Sequence, residues 1–332
     1  MKIDAYTHVV PEKYKDALYA AIPPQVPVRG IIDALPTLHD MDHRFRIMDK
    51  FDGLKQVITL GIPPMEEIAA PDKAADLARL ANDEMAELVA KYPDRFVAAV
   101  ASLPMNNMDA ALKEADRTIN DLNFKGVQIG TPINDKPLDS PEFLPLYEKM
   151  AQHDLPIWIH PVRPATYADY RTEEMSQYMI FITFGWPYET SVAMARLVFS
   201  GVLEKYPNIK FITHHCGAMI PYFQQRIECV HDNAKMQKRE DFAEGLSSAP
   251  IEYFKKFYFD TAINGNPSGL MCGYDFCGAA HMLFATDMPY DNELGERFTR
   301  QTIGAVENMD IPESEKKKIF SDNVIDLLGL NL

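Results

Sequence analysis

Short apolar runs recur along the whole chain and alternate with longer segments in which apolar residues return every three or four positions. The runs are nearly continuous in apolar residues, a pattern typical of parallel strands that are buried on both faces of a sheet. The longer segments have the spacing of amphipathic helices, as in 74–92, where Leu77, Leu80 and Met85 share a face. The eight predicted strands are 2–6, 56–60, 96–101, 126–129, 156–159, 209–213, 257–260 and 282–285.

The alternation of these strands with helices predicts the α/β class, because eight parallel strands joined by crossover helices close into a (β/α)8 TIM barrel. The alternative is an open, doubly wound sheet. A nucleotide-binding sheet of that kind needs a glycine-rich first βα turn, and residues 6–11 contain no glycine. No repeat or linker divides the sequence, so we expect a single domain over 1–332. One long connection, rich in Tyr, Phe and Trp, is predicted to form a lid-like insertion around 161–190.

Composition and charge narrow the range of partners. The chain has 332 residues, of which 47% are hydrophobic and 24% charged, an ordinary globular composition. Its net charge of −15 argues against a nucleic-acid backbone or an anionic membrane as partner. We find no signal peptide, no apolar stretch long enough for a membrane span and no C-x-x-C pair among the four cysteines. We therefore expect a cytoplasmic protein with reduced thiols that binds neither nucleic acid nor membrane.

Polar residues follow four of the predicted strands at the barrel end where function gathers. His8 follows the first strand, His160 the fifth, His214 and His215 the sixth, and Asp287 the eighth. A single histidine at a strand end is more often a satisfied polar residue than a ligand. Imidazoles and a carboxylate from four strands at one end of a barrel, however, suit Zn²⁺ and other divalent first-row metals. These residues therefore predict an active site with an open mononuclear metal centre.

The two adjacent histidines after the sixth strand are predicted to have different roles. Neighbouring residues of a strand point to opposite faces. We therefore predict that only one of His214 and His215 enters the barrel mouth, and that the other packs outward or lines the rim.

Several segments, in this order and spacing, resemble the amidohydrolase superfamily and, within it, the aminocarboxymuconate-semialdehyde decarboxylase-like branch. The resemblance covers nearly the whole chain. It implies a TIM barrel of the metal-dependent hydrolase type and a non-oxidative decarboxylase of an aromatic or muconate-type carboxylic acid. The matching segments are 125–130, 157–161, 185–190, 215–221, 258–262, 284–289 and 323–330.

The resemblance also implies roles for single positions. His160 and Asp287 match metal ligands of the family, and His8 matches the second histidine of its first-strand His-x-His motif. His215 matches the catalytic histidine, because its six-residue step to Pro221 fits the family motif. We therefore expect His215 and Asp287 to handle the proton that replaces CO2, and one divalent ion, Zn²⁺ or Mn²⁺, to be held by His8, His160 and Asp287.

Arg226, eleven residues after His215, matches an arginine that reaches the site of a neighbouring subunit. A guanidinium suits a carboxylic acid substrate because it donates two parallel hydrogen bonds to the carboxylate. The resemblance thus implies a homodimer. The alternative for Arg226 is an ordinary surface charge on a helix. Trp186, in the aromatic insertion, is expected to contact the substrate and exclude water, or else to be part of ordinary apolar packing.

The first-strand motif departs from the family, since Tyr6 stands where the first histidine is expected. Tyr6 and His8 share a strand face, so Tyr6 is expected to lie at the site and to contact the substrate. Three arrangements remain open. Tyr6 binds the metal as a phenolate, or His8, His160 and Asp287 hold the metal with extra waters, or the metal is weakly bound or absent.

The fourth strand bears on how many metals the site can hold. Binuclear relatives usually carry a bridging carboxylated lysine at its end, whereas Lys125 stands at its start. This predicts at most one metal. Two other functions remain open besides decarboxylation. One is a mononuclear metal-dependent hydrolase or hydratase of a lactone or unsaturated acid, with Asp287 as base. The other is a non-catalytic barrel whose site has decayed at Tyr6.

Overall fold

The computed structural model describes residues 1–23, 25–61, 63–239 and 245–332. Its strands occur where the apolar runs predict them, and the third predicted strand is divided in two at Val100. The strands are β1 (Lys2–Val9), β2 (Leu54–Leu60), β3 (Phe96–Ala99), β4 (Ala101–Ser102), β5 (Val127–Thr131), β6 (Ile157–Pro161), β7 (Phe211–Thr213), β8 (Tyr258–Asp260) and β9 (Met282–Leu283).

All ladders between these strands are parallel, in the orders β1-β2-β3 and β4-β5-β6-β7-β8-β9. Backbone hydrogen bonds also join β1 to the residues that follow β9. Ala5 N donates to Phe284 O at 2.8 Å, and His8 N donates to Met288 O at 2.8 Å. Because these bonds close the ring, the prediction of an α/β TIM barrel is confirmed and the open doubly wound sheet is wrong.

Helices follow the strands in the βα order that the sequence predicts. The long helix over 71–91 buries Leu77 and Met85, as their spacing indicates. Among the described helices, none is long and apolar enough to cross a membrane. The α-helices are α1 (Glu12–Ala21), α2 (Pro27–Ala34), α3 (Met41–Met48), α4 (Met65–Ile68), α5 (Pro71–Lys91), α6 (Met108–Asn120), α7 (Leu144–His153), α8 (Trp186–Phe199), α9 (Val202–Lys205), α10 (Gln224–Met236), α11 (Pro250–Phe254), α12 (Pro267–Cys277), α13 (Glu296–Glu307), α14 (Glu313–Lys317) and α15 (Asn323–Leu328).

The apolar core forms two clusters, one between the strands and the surrounding helices and a smaller one inside the ring of strands. Trp158 is fully buried in the inner cluster, and its indole N–H donates to Ala5 O at 3.1 Å. Tyr6 belongs to the same inner cluster. The inner cluster therefore packs inside the barrel below the strand-end residues.

The connection after β6 has no helix or strand between residues 162 and 179. It ends in a π-helical turn, Phe181–Gly185, that runs directly into α8. Residues 162–185 are called the lid segment below. Two of its tyrosines are strongly exposed, Tyr170 at 71% and Tyr178 at 91%.

Candidate metal centre and active site

Three histidines and one aspartate meet at the C-terminal ends of the strands. His8, His160, His214 and Asp287 each offer one ligand atom, and these atoms all lie within 4.8 Å of one another. The three histidines are buried, and the Asp287 side chain is 15% exposed. The structure thus brings together the three predicted ligands and adds His214. These four residues are called the His/Asp cluster.

The prediction that only one of His214 and His215 faces the barrel mouth is wrong. β7 ends at Thr213, and His215 and Cys216 have left-handed backbones with φ of 58° and 55°. The alternation of a strand therefore stops before His215, and the two imidazole rings lie 4.1 Å apart. His214 joins the His/Asp cluster, whereas His215 lines the cavity above it.

The orientation of His8 follows from a hydroxyl group of the neighbouring strand. The Thr59 hydroxyl donates to Thr7 O at 3.0 Å, so it accepts from His8 Nδ1, which is also 3.0 Å away. This hydrogen bond places the proton on Nδ1 and leaves His8 Nε2 as the atom that faces the cluster.

The other two cluster histidines are oriented in the same way, with a partner on Nδ1. His160 Nδ1 donates to Pro161 O at 2.8 Å, and His214 Nδ1 contacts the buried Asp260 carboxylate at hydrogen-bonding distance. All three imidazoles therefore present Nε2 to the cluster. Metal-binding histidines in proteins usually have a hydrogen-bond partner on the ring nitrogen that does not bind the metal.

Arg44 supports the end of β1 from α3 and is fully buried. Its Nη1 donates to His8 O at 2.8 Å and to Thr37 O at 3.2 Å, while its Nε donates to Gln56 Oε1 at 2.7 Å. Burial lowers the pKa of Arg44 to about 10, which leaves the guanidinium charged at neutral pH. Sequence reasoning missed this residue, because a lone arginine in a helix carries no signal that separates it from a surface charge.

The charges in the cluster favour a cation at its centre. Asp287 Oδ1 lies 3.1 Å from His8 Nε2 and 3.3 Å from His214 Nε2. Burial raises the pKa of Asp287, but the neighbouring His214 and His8 hold it below its ordinary value. Burial lowers the pKa of His214, but Asp260 and Asp287 raise it to about 10. Without a metal, a proton on His214 balances part of this negative charge.

His160 contributes a neutral nitrogen. Burial and the nearby His8 lower its pKa well below the ordinary histidine value, so its Nε2 keeps a free lone pair at neutral pH. A carboxylate together with imidazole nitrogens is a donor set that divalent first-row metals accept. The described residues of the cluster therefore fit one divalent ion.

A cavity of about 880 Å³ lies above the cluster. His215 and Asp287 form part of its wall, and Trp186 forms another part. The Trp186 indole donates to Arg163 O at 3.1 Å, and its ring meets the His160 ring edge to face at 5.6 Å. Other apolar side chains of the wall come from the lid segment, from α2 and the residue after it, and from α13, namely Ile31, Leu35, Ile182, Phe184 and Phe298.

His215 is the predicted catalytic residue that faces this cavity. Its Nδ1 has no hydrogen-bond partner among the described residues. Burial lowers the pKa of His215 to about 4, and the neighbouring His214 adds to this effect, so the imidazole is neutral at pH 7. A neutral, unpartnered imidazole on a cavity wall can accept a proton from a bound substrate and return it.

Tyr6 and Arg226 lie away from the cavity wall. The Tyr6 ring packs 4.4 Å from the His214 ring, and its buried hydroxyl has no hydrogen-bond partner among the described residues. Burial, with Asp260 and Asp287 nearby, raises the pKa of Tyr6 well above its ordinary value, which disfavours a phenolate. Arg226 is exposed on α10. Neither residue is among those that line the cavity.

Comparison with known proteins agrees with this geometry. A family model described as Amidohydrolase matches residues 3–330. Gamma-resorcylate decarboxylase of Polaromonas sp. (strain JS666) is 32% identical over 301 residues, which cover 87% of each chain. 2-Amino-3-carboxymuconate-6-semialdehyde decarboxylase of Dictyostelium discoideum is 28% identical, covering 100% of this chain and 92% of the relative.

A solved structure is similar over the whole chain. Dihydroxybenzoic acid decarboxylase from Polaromonas sp. JS666, solved with bound manganese and the inhibitor 2-nitroresorcinol, superposes with a TM-score of 0.81. It is 29% identical, and the match covers 100% of this chain and 97% of that one. Since the family model also matches nearly every residue, the chain belongs to the amidohydrolase family.

Proposed function

We propose that this chain is a metal-dependent, non-oxidative decarboxylase of an aromatic or muconate-type carboxylic acid. The observation that carries the proposal is the juxtaposition of the His/Asp cluster with His215 beneath one apolar cavity. Relatives that match most of the chain are decarboxylases of such acids, which supports the same reaction here.

We propose His8, His160 and Asp287 as residues that hold one divalent ion, Mn²⁺ or Zn²⁺. Manganese is bound in the similar dihydroxybenzoic acid decarboxylase, and the three side chains present donor atoms to a common point. When bound, the ion supplies positive charge that orients the substrate carboxylate and an adjacent oxygen.

His215 and Asp287 handle the proton in this proposal. Loss of CO2 leaves a carbanion-like carbon that an acid must protonate. His215 is neutral in the empty site, but an anionic substrate beside it raises the pKa of the imidazole by charge attraction. The imidazolium then delivers its proton to the carbon, while the Asp287 carboxylate stabilises the positive charge on the neighbouring imidazoles.

The lid segment and Trp186 exclude water from this carbon. Ile182 and Phe184 of the lid segment line the cavity opposite the cluster, and Trp186 stands next to His160. Removing bulk water strengthens the electrostatic interactions in the site and prevents quenching of the intermediate by solvent. Ile182, Phe184 and Trp186 already line the cavity, so they can exclude water without a movement of the lid segment.

We further propose a homodimer in which Arg226 of one copy reaches the cavity of the second. No lysine or arginine is among the described residues that line the cavity, although an anionic substrate needs positive charge there. Arg226 is exposed, and it follows the exposed side chains of Tyr222 and Phe223, which are 76% and 39% accessible.

We also propose a cytoplasmic location, which the four free cysteines support.

The direct test is a screen of hydroxybenzoates, salicylates and muconate-type acids for CO2 release, with Mn²⁺ or Zn²⁺ added. We expect release from at least one acid, with no oxygen from ¹⁸O-labelled water in the product. Incorporation of labelled oxygen without CO2 release would support the hydrolase or hydratase instead. If the metal-loaded protein shows neither CO2 release nor labelled oxygen in the product, that result would contradict both enzymatic functions.

A further inference from the structure

We propose that His214 provides the metal ligand that β1 lacks at Tyr6, and that Asp260 is its positioning residue. The inference rests on the proposed metal-dependent function and concerns the same site. Four donors, from β1, β6, the end of β7 and the segment after β9, then hold the ion. Neither His214 nor Asp260 was assigned to the metal by the sequence motifs.

The Tyr6 ring contacts the inner apolar cluster and the cluster histidines. β1 has one residue more than β2 between Asp4 and Thr7, so a β-bulge lies beside Tyr6. The Tyr6 ring belongs to the inner apolar cluster and packs beneath the cluster histidines, at 4.4 Å from His214 and 5.4 Å from His8. Tyr6 therefore acts as the surface on which the His214 ring rests.

The Nε2 atom of His214 is directed at the centre of the cluster. It is buried and lies 3.3 Å from Asp287 Oδ1, an ion-pair distance, although the two atoms lack the alignment of a hydrogen bond. A divalent cation can take the place of a proton between them, because it attracts the carboxylate and accepts the lone pair of the imidazole nitrogen.

The distances from Asp287 to two of the other donors fit a shared cation. Asp287 Oδ1 lies 3.1 Å from His8 Nε2 and 3.3 Å from His214 Nε2. Ligand bonds of about 2.0–2.1 Å in tetrahedral geometry place neighbouring donors about 3.3 Å apart. Because His8 Nδ1 is paired with Thr59, Nε2 is the atom that faces the Asp287 carboxylate. A cation between these two atoms would be held by both.

Asp260 fixes the His214 ring in this orientation. It is fully buried at the end of β8, and its Oδ1 accepts from Cys216 N at 2.9 Å and from Ala262 N at 3.0 Å. Its Oδ2 contacts His214 Nδ1. Because two backbone groups hold the carboxylate in place, the imidazole cannot turn its Nε2 away from the cluster. A carboxylate on the outer nitrogen also increases the basicity of a metal-binding histidine.

Metal affinity without substrate is the test. Apo-protein is titrated with Mn²⁺, Zn²⁺ and Co²⁺ against a chelator of known affinity, and bound metal is counted by mass spectrometry. We expect His214→Asn to lose at least about 100-fold in affinity and Asp260→Asn about 10- to 100-fold. Tyr6→Phe should change affinity less than twofold. His153→Asn, a partly exposed histidine on α7, is the matched control.

Rescue separates a ligand from a merely structural residue. The double variant Tyr6→His/His214→Asn returns a histidine to β1, so its metal affinity should recover most of the loss. The visible spectrum of the Co²⁺ form should change in His214→Asn and return in the double variant, and circular dichroism of each apo-protein reports whether it is folded. Unchanged affinity in folded His214→Asn, or loss of affinity in Tyr6→Phe, would overturn the proposal. Stoichiometric metal without CO2 release would overturn only the proposed decarboxylase.

Discussion

The His/Asp cluster and the lid segment face the same cavity but are built in opposite ways. In the cluster, the three histidines are buried and each Nδ1 has a partner that sets its orientation. The lid segment has no helix or strand over 162–179, and Tyr170 and Tyr178 in it are 71% and 91% exposed.

The difference shows which part of the site has a fixed geometry before substrate binds and which part can change shape on binding. Buried polar groups with fixed partners hold a catalytic centre in one geometry before the substrate arrives. An exposed segment without regular secondary structure can adapt to a substrate or to a second copy of the chain. Changes in the cluster should therefore alter chemistry and stability, whereas changes at the rim should alter catalysis alone.

The largest expected effect is on turnover in His215→Ala. Loss of the residue that holds the proton should lower kcat by about 10²- to 10⁴-fold. His215 lies above the cluster, so metal content and melting temperature should stay near those of the parent protein. Steady-state CO2 release and metal analysis are measured together, with His153→Ala as control. Turnover within a few-fold of the parent would remove His215 from the proposed mechanism.

A buried carboxyl at the base of the cluster should give the next largest effect, this time on stability. Asp4 is fully buried and accepts from Thr286 N at 3.0 Å, and burial raises its pKa to about 7 from an ordinary 3.8. A folded-state pKa above the unfolded value stabilises the protein at low pH. That contribution is complete below pH 3.8 and is lost as the pH rises through about 7.

The free energy of unfolding should therefore fall between about pH 4 and pH 7 by up to about 4 kcal/mol from this group. Asp4→Asn cannot ionise and should lack this part of the fall. Urea unfolding at a series of pH values measures the free energy of unfolding of the parent protein and of the variant. The contributions of other buried carboxyls, such as Glu66, are present in both proteins and cancel in the difference. A difference that does not vary with pH would contradict a raised pKa at Asp4.

The smallest effect is expected at the rim, from Arg226→Ala. Loss of a guanidinium that pairs with the substrate carboxylate should lower kcat/KM by about 10- to 100-fold, with little change in melting temperature. Mixed dimers sharpen the test. Arg226→Ala mixed with His215→Ala should regain activity, because one of the two sites then has both residues. Absence of complementation in a proven mixed dimer would place Arg226 in its own subunit's site or on the surface.

Much of the fold and part of the site followed from the sequence. Continuous apolar runs predicted each barrel strand, because parallel strands buried on both faces leave that pattern. His8, His160 and Asp287 were found because barrel function gathers at strand ends, and the resemblance to the amidohydrolase family is confirmed. The lid-like insertion, the dimer and the roles of single residues stay predictions.

The neighbours of those residues could not be predicted in the same way. Only one of His214 and His215 was expected to enter the barrel mouth, but strand alternation ends at Thr213, and His215 and Cys216 after it take left-handed backbones. Asp260 and Thr59 belong to other strands, so their hydrogen bonds to His214 and His8 depend on the register of the closed barrel.

By itself, the sequence determined the barrel, its family and the side of the barrel where chemistry takes place, because these depend on local periodicity and on residue types at strand ends. Only the tertiary structure decided which nitrogen each histidine presents, and that His214 Nε2 lies 3.3 Å from Asp287 Oδ1. The physical reason is that ligand geometry depends on distances of a few ångströms between residues far apart in the chain. Those distances exist only once the strands have closed into a ring.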